Sequence, residues 1–273
     1  MLQREMGRRI LGVNKKTTDE VVQGELGLSS VRSRRILLRL NFWYKILHMK
    51  KSRLIYKIYR QRREEFSDGE KKDKNNWCYW TWMSLKELHL EHIWESEKIE
   101  LGRNFSTLVK KLIKQREESE WREQLEKKSK LRTYRKLKTR LVLEEYVVEL
   151  DREQRRHLTM LRGGTNKLRI ETGRWKRPKG EEVEDRVCLV CMSRDVEDER
   201  HFLLKCPMYV RERSTMFRKM REVVGLEYAE SMDEEWQMNV MIGVGWREQG
   251  REIREIVLEY IRKAYEIRKI YII

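Results

Sequence analysis

The sequence of 273 residues predicts a mainly α-helical fold, built from bundle-like helical segments and one small element of a different kind. Composition favours helix, because Glu, Lys, Arg and Leu are abundant and only two prolines occur. Pattern favours it too, because apolar residues recur at helical spacing in several stretches. The exception is residues 188–206, where three of the four cysteines lie beside one of the five histidines.

Composition and pattern divide the chain into four segments. We expect a basic helical segment at 1–75, a helical segment at 76–162, a cysteine-containing segment at 163–217 and C-terminal helices at 218–273. The formal charge is +17 and 39% of the residues are charged, which indicates a heavily ionised surface and a polyanionic partner. No secretory signal and no membrane-spanning run is visible, so the expected location is intracellular, either nuclear or cytoplasmic.

The first segment contains three predicted helices. Thr17-Thr18-Asp19-Glu20 has the form of a capping box, and Gly27 is a suitable stop for the helix that follows it. Ser29 or Ser30 caps a second helix, whose apolar face is expected to hold Ile36, Leu37, Leu40, Trp43, Tyr44 and Leu47. A third helix from Ser52 is expected to bury Leu54, Ile55, Ile58 and Tyr59. The polar residues from Ser67 to Asn76 are typical of a linker.

The later segments are also helical by pattern. Helix resumes at Trp77, and Asn104 or Ser106 begins a long helix. Residues 143–161 are predicted to form a single helix that Gly163-Gly164 ends. Two further helices are expected after the cysteine stretch, at 209–224 and at a closing amphipathic stripe that runs from 253 to 267.

The cysteine stretch has the spacing Cys188-x2-Cys191-x9-His201-x4-Cys206. Two thiolates from a tight turn, completed by a histidine and a third cysteine, give the tetrahedral set that Zn2+ accepts. Four protein ligands close the coordination shell, so the predicted zinc is structural rather than catalytic. We expect a short hairpin followed by a short helix that ends at Cys206, because Pro207 disfavours its continuation. The alternative is that three buried cysteines cluster without binding a metal.

Several blocks of the sequence resemble one known family. LRIETGRW, CLVC, VEDERHFLLKCP and Tyr209 are similar to the zinc-binding segment that follows the polymerase domain of LINE-type (non-LTR) retrotransposon reverse transcriptases. GRRILGV, VVQGELG, LNFWYKILHM, RLIYKIY and NWCYWTWMSLKELHLEHIW resemble the family's helical region, and IVLEYIRKAYEIR its closing helix. The resemblance covers nearly the whole chain, and the zinc segment is its specific part. It implies a region that holds template RNA and target DNA near a polymerase, and a full-length element protein as a further partner.

Basic residues are concentrated in blocks that have few or no acids. No acid occurs between Val31 and Arg63, and a single one, Glu171, lies between Arg162 and Lys179. Charge runs are usually solvated helix faces, but these blocks favour contact with RNA or DNA. Trp175 is the best candidate to stack on a base, whereas Phe202 is expected to pack with Leu189 and Leu203 beneath the metal. The predicted nucleic-acid contacts are Arg32, Arg34, Arg35, Arg39, Lys50, Lys51, Arg53, Arg60, Arg62, Arg63, Lys167, Arg169, Arg174, Trp175, Lys176 and Arg177.

The motifs of common catalytic sites are missing from the sequence. A polymerase palm needs adjacent carboxylates that hold two Mg2+ ions, and no Asp-Asp pair occurs. The signatures of a restriction-type nuclease, a P-loop NTPase, a serine hydrolase and a zinc protease are absent as well. The sequence therefore predicts a noncatalytic, zinc-stabilised nucleic-acid-binding protein that lacks the polymerase domain and uses no small-molecule substrate. The alternative is a helical protein-interaction module with a structural zinc site.

Overall fold

The computed structural model describes residues 2–66, 76–99, 104–225 and 233–272. Within these ranges the chain is mainly helical and forms no β-strand, which confirms the predicted fold class at that level. Isolated antiparallel bridges join Leu26 to Leu143 and Val187 to Val196. Most of the predicted linker lies outside the described residues. No helix of the described ranges is long and apolar enough to cross a membrane.

Fourteen α-helices of the described residues can be numbered in chain order. They are α1 (Leu2–Leu11), α2 (Asp19–Glu25), α3 (Val31–Leu47), α4 (Leu54–Glu65), α5 (Trp77–Lys86), α6 (Glu91–Ser96), α7 (Phe105–Glu126), α8 (Arg132–Leu137), α9 (Tyr146–Glu149), α10 (Arg152–Arg162), α11 (Arg169–Thr172), α12 (Val210–Val224), α13 (Glu234–Met241) and α14 (Trp246–Tyr271).

The chain forms two compact units. Unit 1 comprises Met1–Leu28 and Gln124–Ile273, and unit 2 comprises Ser29–Glu123. Unit 1 is therefore assembled from both ends of the chain, while unit 2 is one continuous stretch.

Unit 2 packs its helices around a cluster of aromatic residues. Ser30 caps α3 as expected, because its side chain accepts a hydrogen bond from the Ser33 amide. Trp43 and Trp94 lie with ring centroids 5.6 Å apart in the core, and Trp43 Nε1 donates to the Tyr59 hydroxyl at 3.1 Å. Cys78 is fully buried there, and burial raises the pKa of its thiol to about 11. Its thiol is accordingly a small apolar core group, not an exposed nucleophile.

One prediction for unit 2 is wrong. Leu54, Ile55 and Ile58 were expected on the buried face of α4, but all three are exposed, and Leu54 is 71% exposed. Tyr59 is the residue of this set that enters the core. A helix of this composition has apolar residues on more than one side, and only one side meets the rest of the unit.

Unit 1 begins with α1 and α2, which pack against each other. The expected capping box ahead of α2 does not form, since the side chain of Thr18 makes no capping hydrogen bond and Thr17 is instead fully buried. Gly27 does end this helical region, with a φ of +56° that a residue with a side chain rarely adopts.

The single helix predicted over residues 143–161 is also wrong. The structure has the short helix α9, a break at Leu150, and then α10, which begins after Asp151. Asp151 accepts hydrogen bonds from the Glu153 and Gln154 amides, and Gln154 accepts one in return from the Asp151 amide. This capping box starts a new helix, and Gly163 ends it as expected.

The C-terminal helices complete the core of unit 1. The predicted stripe on α14 is buried at Ile253, Val257, Tyr260, Ile261 and Ala264. The helix bends at Gly250, whose φ of +88° is not helical. Its packing partners include α12, and the Tyr260 hydroxyl donates to the Leu203 carbonyl at 2.7 Å. This bond ties α14 to the cysteine-containing stretch.

Candidate metal centre

The first two cysteines lie on a loop that a small antiparallel bridge closes. Val187 pairs with Val196, the Cys188 amide donates to the Asp195 carbonyl at 2.9 Å, and the Glu197 amide donates to the Arg186 carbonyl at 3.0 Å. The turn between them carries Cys188 and Cys191 and buries both. A tight turn of this kind directs two thiols to the same side. The Cys-x2-Cys spacing predicts this arrangement.

The last two ligand candidates lie at the ends of a π-helical turn, His201–Lys205. The Cys206 amide donates to the His201 carbonyl five residues earlier, at 2.7 Å. In an α-helix, residues five apart point to different sides. The wider π turn brings His201 and Cys206 onto the same side, and π turns of this kind are frequent at functional sites. The helical turn ends before Cys206, as Pro207 predicts.

These two pieces bring the four side chains together. The Sγ atoms of Cys188, Cys191 and Cys206 and a ring nitrogen of His201 all lie within 4.8 Å of one another, and all four residues are buried. Metal–sulfur bonds of about 2.3 Å in a tetrahedron place two sulfur atoms about 3.8 Å apart, so the spacing suits a single ion after a small contraction. Cys191 Sγ and His201 Nε2 are 3.4 Å apart, which is already tetrahedral spacing. The cluster could therefore hold a metal ion.

The surroundings of the cluster also fit a bound ion. His201 Nε2 faces the sulfur atoms, while its buried Nδ1 has no hydrogen-bond partner and lies 3.7 Å from Asp195 Oδ2. A carboxylate at the second ring nitrogen orients a histidine ligand in many metal sites. Ser193 Oγ is 3.1 Å from Cys191 Sγ and adds a second polar contact at the rim.

The four side chains shift one another's pKa values in a way that reflects their crowding. The hydrogen bond with Cys206 lowers the pKa of the Cys188 thiol, and the same contact raises that of Cys206. Burial lowers the pKa of His201, but hydrogen bonds with Cys188 and Cys191 outweigh burial and raise it to about 9. The three thiols and the imidazole are thus close enough to share their protons through hydrogen bonds. A metal cation would take the place of those protons and stabilise the thiolate form of the cysteines.

The core of unit 1 continues directly beneath the cluster. Phe202 is fully buried, with its ring 5.2 Å from Tyr209 and 5.0 Å from Tyr265, so its predicted packing role is confirmed. Leu203 is buried beside it. Leu189, the third residue expected there, is exposed, because it lies on the outer side of the turn that directs both thiols inward.

Glu197 and Arg268 join the cluster to the rest of unit 1, and sequence reasoning did not assign either of them this role. Glu197 is buried and accepts hydrogen bonds from the Arg169 amide at 2.8 Å and from Arg268 Nη2 at 2.7 Å. Its other oxygen lies 3.8 Å from Cys188 Sγ. Burial raises the pKa of Glu197 to about 7, and Arg268 opposes that rise. Because Glu197 and Arg268 are 71 residues apart in sequence, no local sequence pattern indicates that they form a pair.

The predicted nucleic-acid contacts of unit 2 fall into two groups. Arg34, Arg35, Lys50, Lys51 and Arg53 are exposed and have no carboxylate partner among the described residues. The others are held by local contacts. Arg32 pairs with Glu87, Arg39 bonds Ser84, Arg60 and Arg63 pair with Glu97, and Arg62 pairs with Glu65.

The predicted contacts of unit 1 divide in the same way. Lys167 and Arg177 are exposed without an acidic partner in the described ranges, and Trp175 is 72% exposed. Arg169 and Lys176 pair with Glu181, and Arg174 pairs with the buried Glu171. Half of the sixteen predicted residues are thus committed to contacts within the protein.

Comparisons of the chain with models of known protein families, with curated proteins and with solved structures gave no match.

Proposed function

We propose that this protein is a noncatalytic, zinc-stabilised nucleic-acid-binding protein, similar to the region that follows the polymerase domain of LINE-type reverse transcriptases. The observation that carries the proposal is the set of exposed basic residues that no carboxylate of the described chain neutralises, namely Arg34, Arg35, Lys50, Lys51, Arg53, Lys167 and Arg177. An ion-paired arginine must lose its partner before it binds a phosphate, whereas these seven side chains need not.

Zinc is the metal that we propose for the cluster. Three thiolates and one imidazole form a soft donor set in a tetrahedral arrangement, which selects zinc over magnesium, calcium and manganese. Four protein ligands leave no position for water, so the ion would act by holding the bridge-closed loop and the π turn together.

Two surfaces would contact the nucleic acid. In unit 2, the turn between α3 and α4 carries Lys50, Lys51 and Arg53, and the neighbouring helices leave Phe42 and Trp80 half-exposed. In unit 1, the exposed Trp175 lies two residues before the unpaired Arg177. Cations that track phosphates, together with exposed aromatic rings on which bases stack, are typical of proteins that bind single strands.

Binding as a function of salt tests this proposal. We expect the full zinc-loaded chain to bind a fluorescent single-stranded oligonucleotide, with log K falling against log salt by about 0.7 for each phosphate engaged. Reversing Arg34, Arg35 and Arg53 to Glu should flatten the slope by roughly 2, because three contacts are lost.

A matched control variant makes the same reversal of charge at three other arginines. Arg218, Arg251 and Arg262 are exposed on α12 and α14 and each pairs with a glutamate four residues later. Reversing these three should leave the slope within about 0.5 of the parent value, since no phosphate contact is expected there. Equal effects of the two triple variants, or no binding at low salt, would refute the proposal.

One observation favours a second candidate, a helical protein-interaction module. Leu54, Ile55 and Ile58 form an exposed apolar face on α4, and such faces mark contact surfaces for other proteins. The two functions differ in their salt dependence, because burial of apolar area is insensitive to the salt concentrations that release a nucleic acid.

A further inference from the structure

A cavity of about 280 Å3 lies in unit 1 between α10 and the end of α14. Its lining includes Arg156 and His157 from α10, Lys167 from the following turn, and Tyr265 and Lys269 from α14. Its volume is close to the lower end of the usual range for small-molecule sites, about 300 Å3, so it suits a small ligand rather than a large one. None of the four residues of the cysteine cluster lines it.

More basic than acidic residues line the cavity. Arg156, Lys167 and Lys269 are exposed at its mouth, and none of them has a carboxylate partner among the described residues. Arg268 forms part of the inner wall, where Glu197 neutralises it. Glu153 is the single acid of the lining. Three uncompensated cations against one carboxylate give a site that attracts an anion.

The inner wall also contains two polar groups that have no hydrogen-bond partner. The Tyr265 hydroxyl and Arg268 Nε are both buried and have no hydrogen-bond partner. His157 stacks on Tyr265 with ring centroids 4.7 Å apart, which fixes the orientation of this wall. Both atoms have almost no solvent-accessible surface, so a ligand in the cavity is held by the exposed cations and not by these two donors.

We propose that this cavity binds the phosphate group of a nucleotide. A phosphomonoester carries up to two negative charges and three terminal oxygens, which match the three exposed cations better than the single charge of a carboxylate does. The sugar would occupy the remaining space along the rings of His157 and Tyr265. The last turn of α14 carries a partial negative charge, and Arg268 and Lys269 in that turn offset it.

The inference goes beyond the proposed function, because the cavity would bind a free nucleotide even if the basic surfaces bound no strand. The phosphate has two sources, a mononucleotide or the phosphorylated end of a strand. Calorimetric titration of the full zinc-loaded chain with thymidine 5′-monophosphate, thymidine and inorganic phosphate tests the chemistry. At about 150 mM salt we expect the monophosphate to bind at least tenfold more tightly than thymidine, and inorganic phosphate to compete with it.

Charge reversal at the mouth of the cavity identifies the site. The double variant Lys167→Glu/Lys269→Glu should weaken binding of the monophosphate by about tenfold or more, because two charge-assisted contacts are lost. Lys15→Glu/Arg140→Glu makes the same change of charge at two exposed residues of unit 1 that do not line this cavity. This control should stay within about twofold of the parent protein. Circular dichroism checks that both double variants are folded.

A pair of oligothymidylates with and without a 5′-phosphate then distinguishes the two sources. Tighter binding of the phosphorylated strand, abolished in the Lys167/Lys269 variant, assigns the strand end, and equal binding of the two strands assigns the free nucleotide. Either result retains the site. The inference is overturned if the monophosphate does not bind at about 10 mM, or if the two double variants lose affinity equally. Monophosphate binding without any strand binding would remove the proposed function and leave this inference standing.

Discussion

Replacement of one ligand candidate, Cys191→Ser, tests the metal centre most directly. Serine is close to cysteine in size, so the variant changes the packing little. It is a weak ligand for zinc, so the variant removes one metal bond. Structural zinc supplies roughly 10–16 kcal/mol in finger peptides, whereas a whole domain is stable by only about 5–15 kcal/mol. Loss of the ion is therefore expected to remove a large part of the stability of unit 1.

The packing around the cluster indicates which parts of unit 1 should lose stability when the ion is lost. Cys188, Cys191 and Cys206 belong to the same apolar core as Phe202 and the buried residues of α12 and α14. We expect a loss on the order of 5 kcal/mol in the free energy of unfolding of unit 1 and a zinc content well below one per chain.

Metal analysis and hydrogen exchange measure these two effects. Mass spectrometry of the metal content after dialysis gives the zinc stoichiometry, and amide exchange resolved by segment reports opening of residues 187–209 and of α14. Treatment of the parent protein with a chelator should produce the same exchange pattern as Cys191→Ser, because both remove the same ion.

Cys78→Ser is the matched control. Cys78 is buried in the core of unit 2, so the same exchange of sulfur for oxygen should cost about 1–3 kcal/mol there and leave the zinc content unchanged. The reasoning fails if parent protein refolded with zinc contains none. It also fails if Cys191→Ser keeps a full equivalent of zinc with unchanged exchange in residues 187–209.

Four further predictions follow from individual contacts. Asp151→Ala should lower stability by about 1 kcal/mol in urea unfolding, because it removes the capping box of α10, and an unchanged midpoint would contradict that role. Phe202→Ala should cost about 3–5 kcal/mol by opening a cavity beneath the metal cluster, without changing zinc stoichiometry in protein that remains folded. Arg162→Met should cost about 3–5 kcal/mol, since it leaves the buried Glu25 without its partner, and a neutral effect would show that the pair is dispensable. Trp175→Ala should weaken binding of single strands by about 1–3 kcal/mol and of duplexes much less, so equal losses in a fluorescence assay would exclude stacking.

Local chemistry explains why the helical class and the candidate ligands could be predicted from sequence. The Ser30 cap, the stop at Gly27 and the stripe on α14 depend on residues within one or two turns of each other, and all three are present in the structure. The break between α9 and α10 was also encoded locally. Asp151 followed three residues later by Gln154 is the signature of a capping box, and the prediction of one continuous helix overlooked it.

The sequence by itself determined which residues are able to bind a metal and which helix sides are apolar, because spacing and periodicity are local properties of the chain. Tertiary structure decided which of those features are used. The π turn, not the spacing, places His201 and Cys206 on one side of the cluster. Packing left Leu54 exposed, and Glu87 reached Arg32 from 55 residues away. Whether an apolar side is covered or a cation is neutralised depends on partners distant in sequence, and those partners are brought together only by the folded chain.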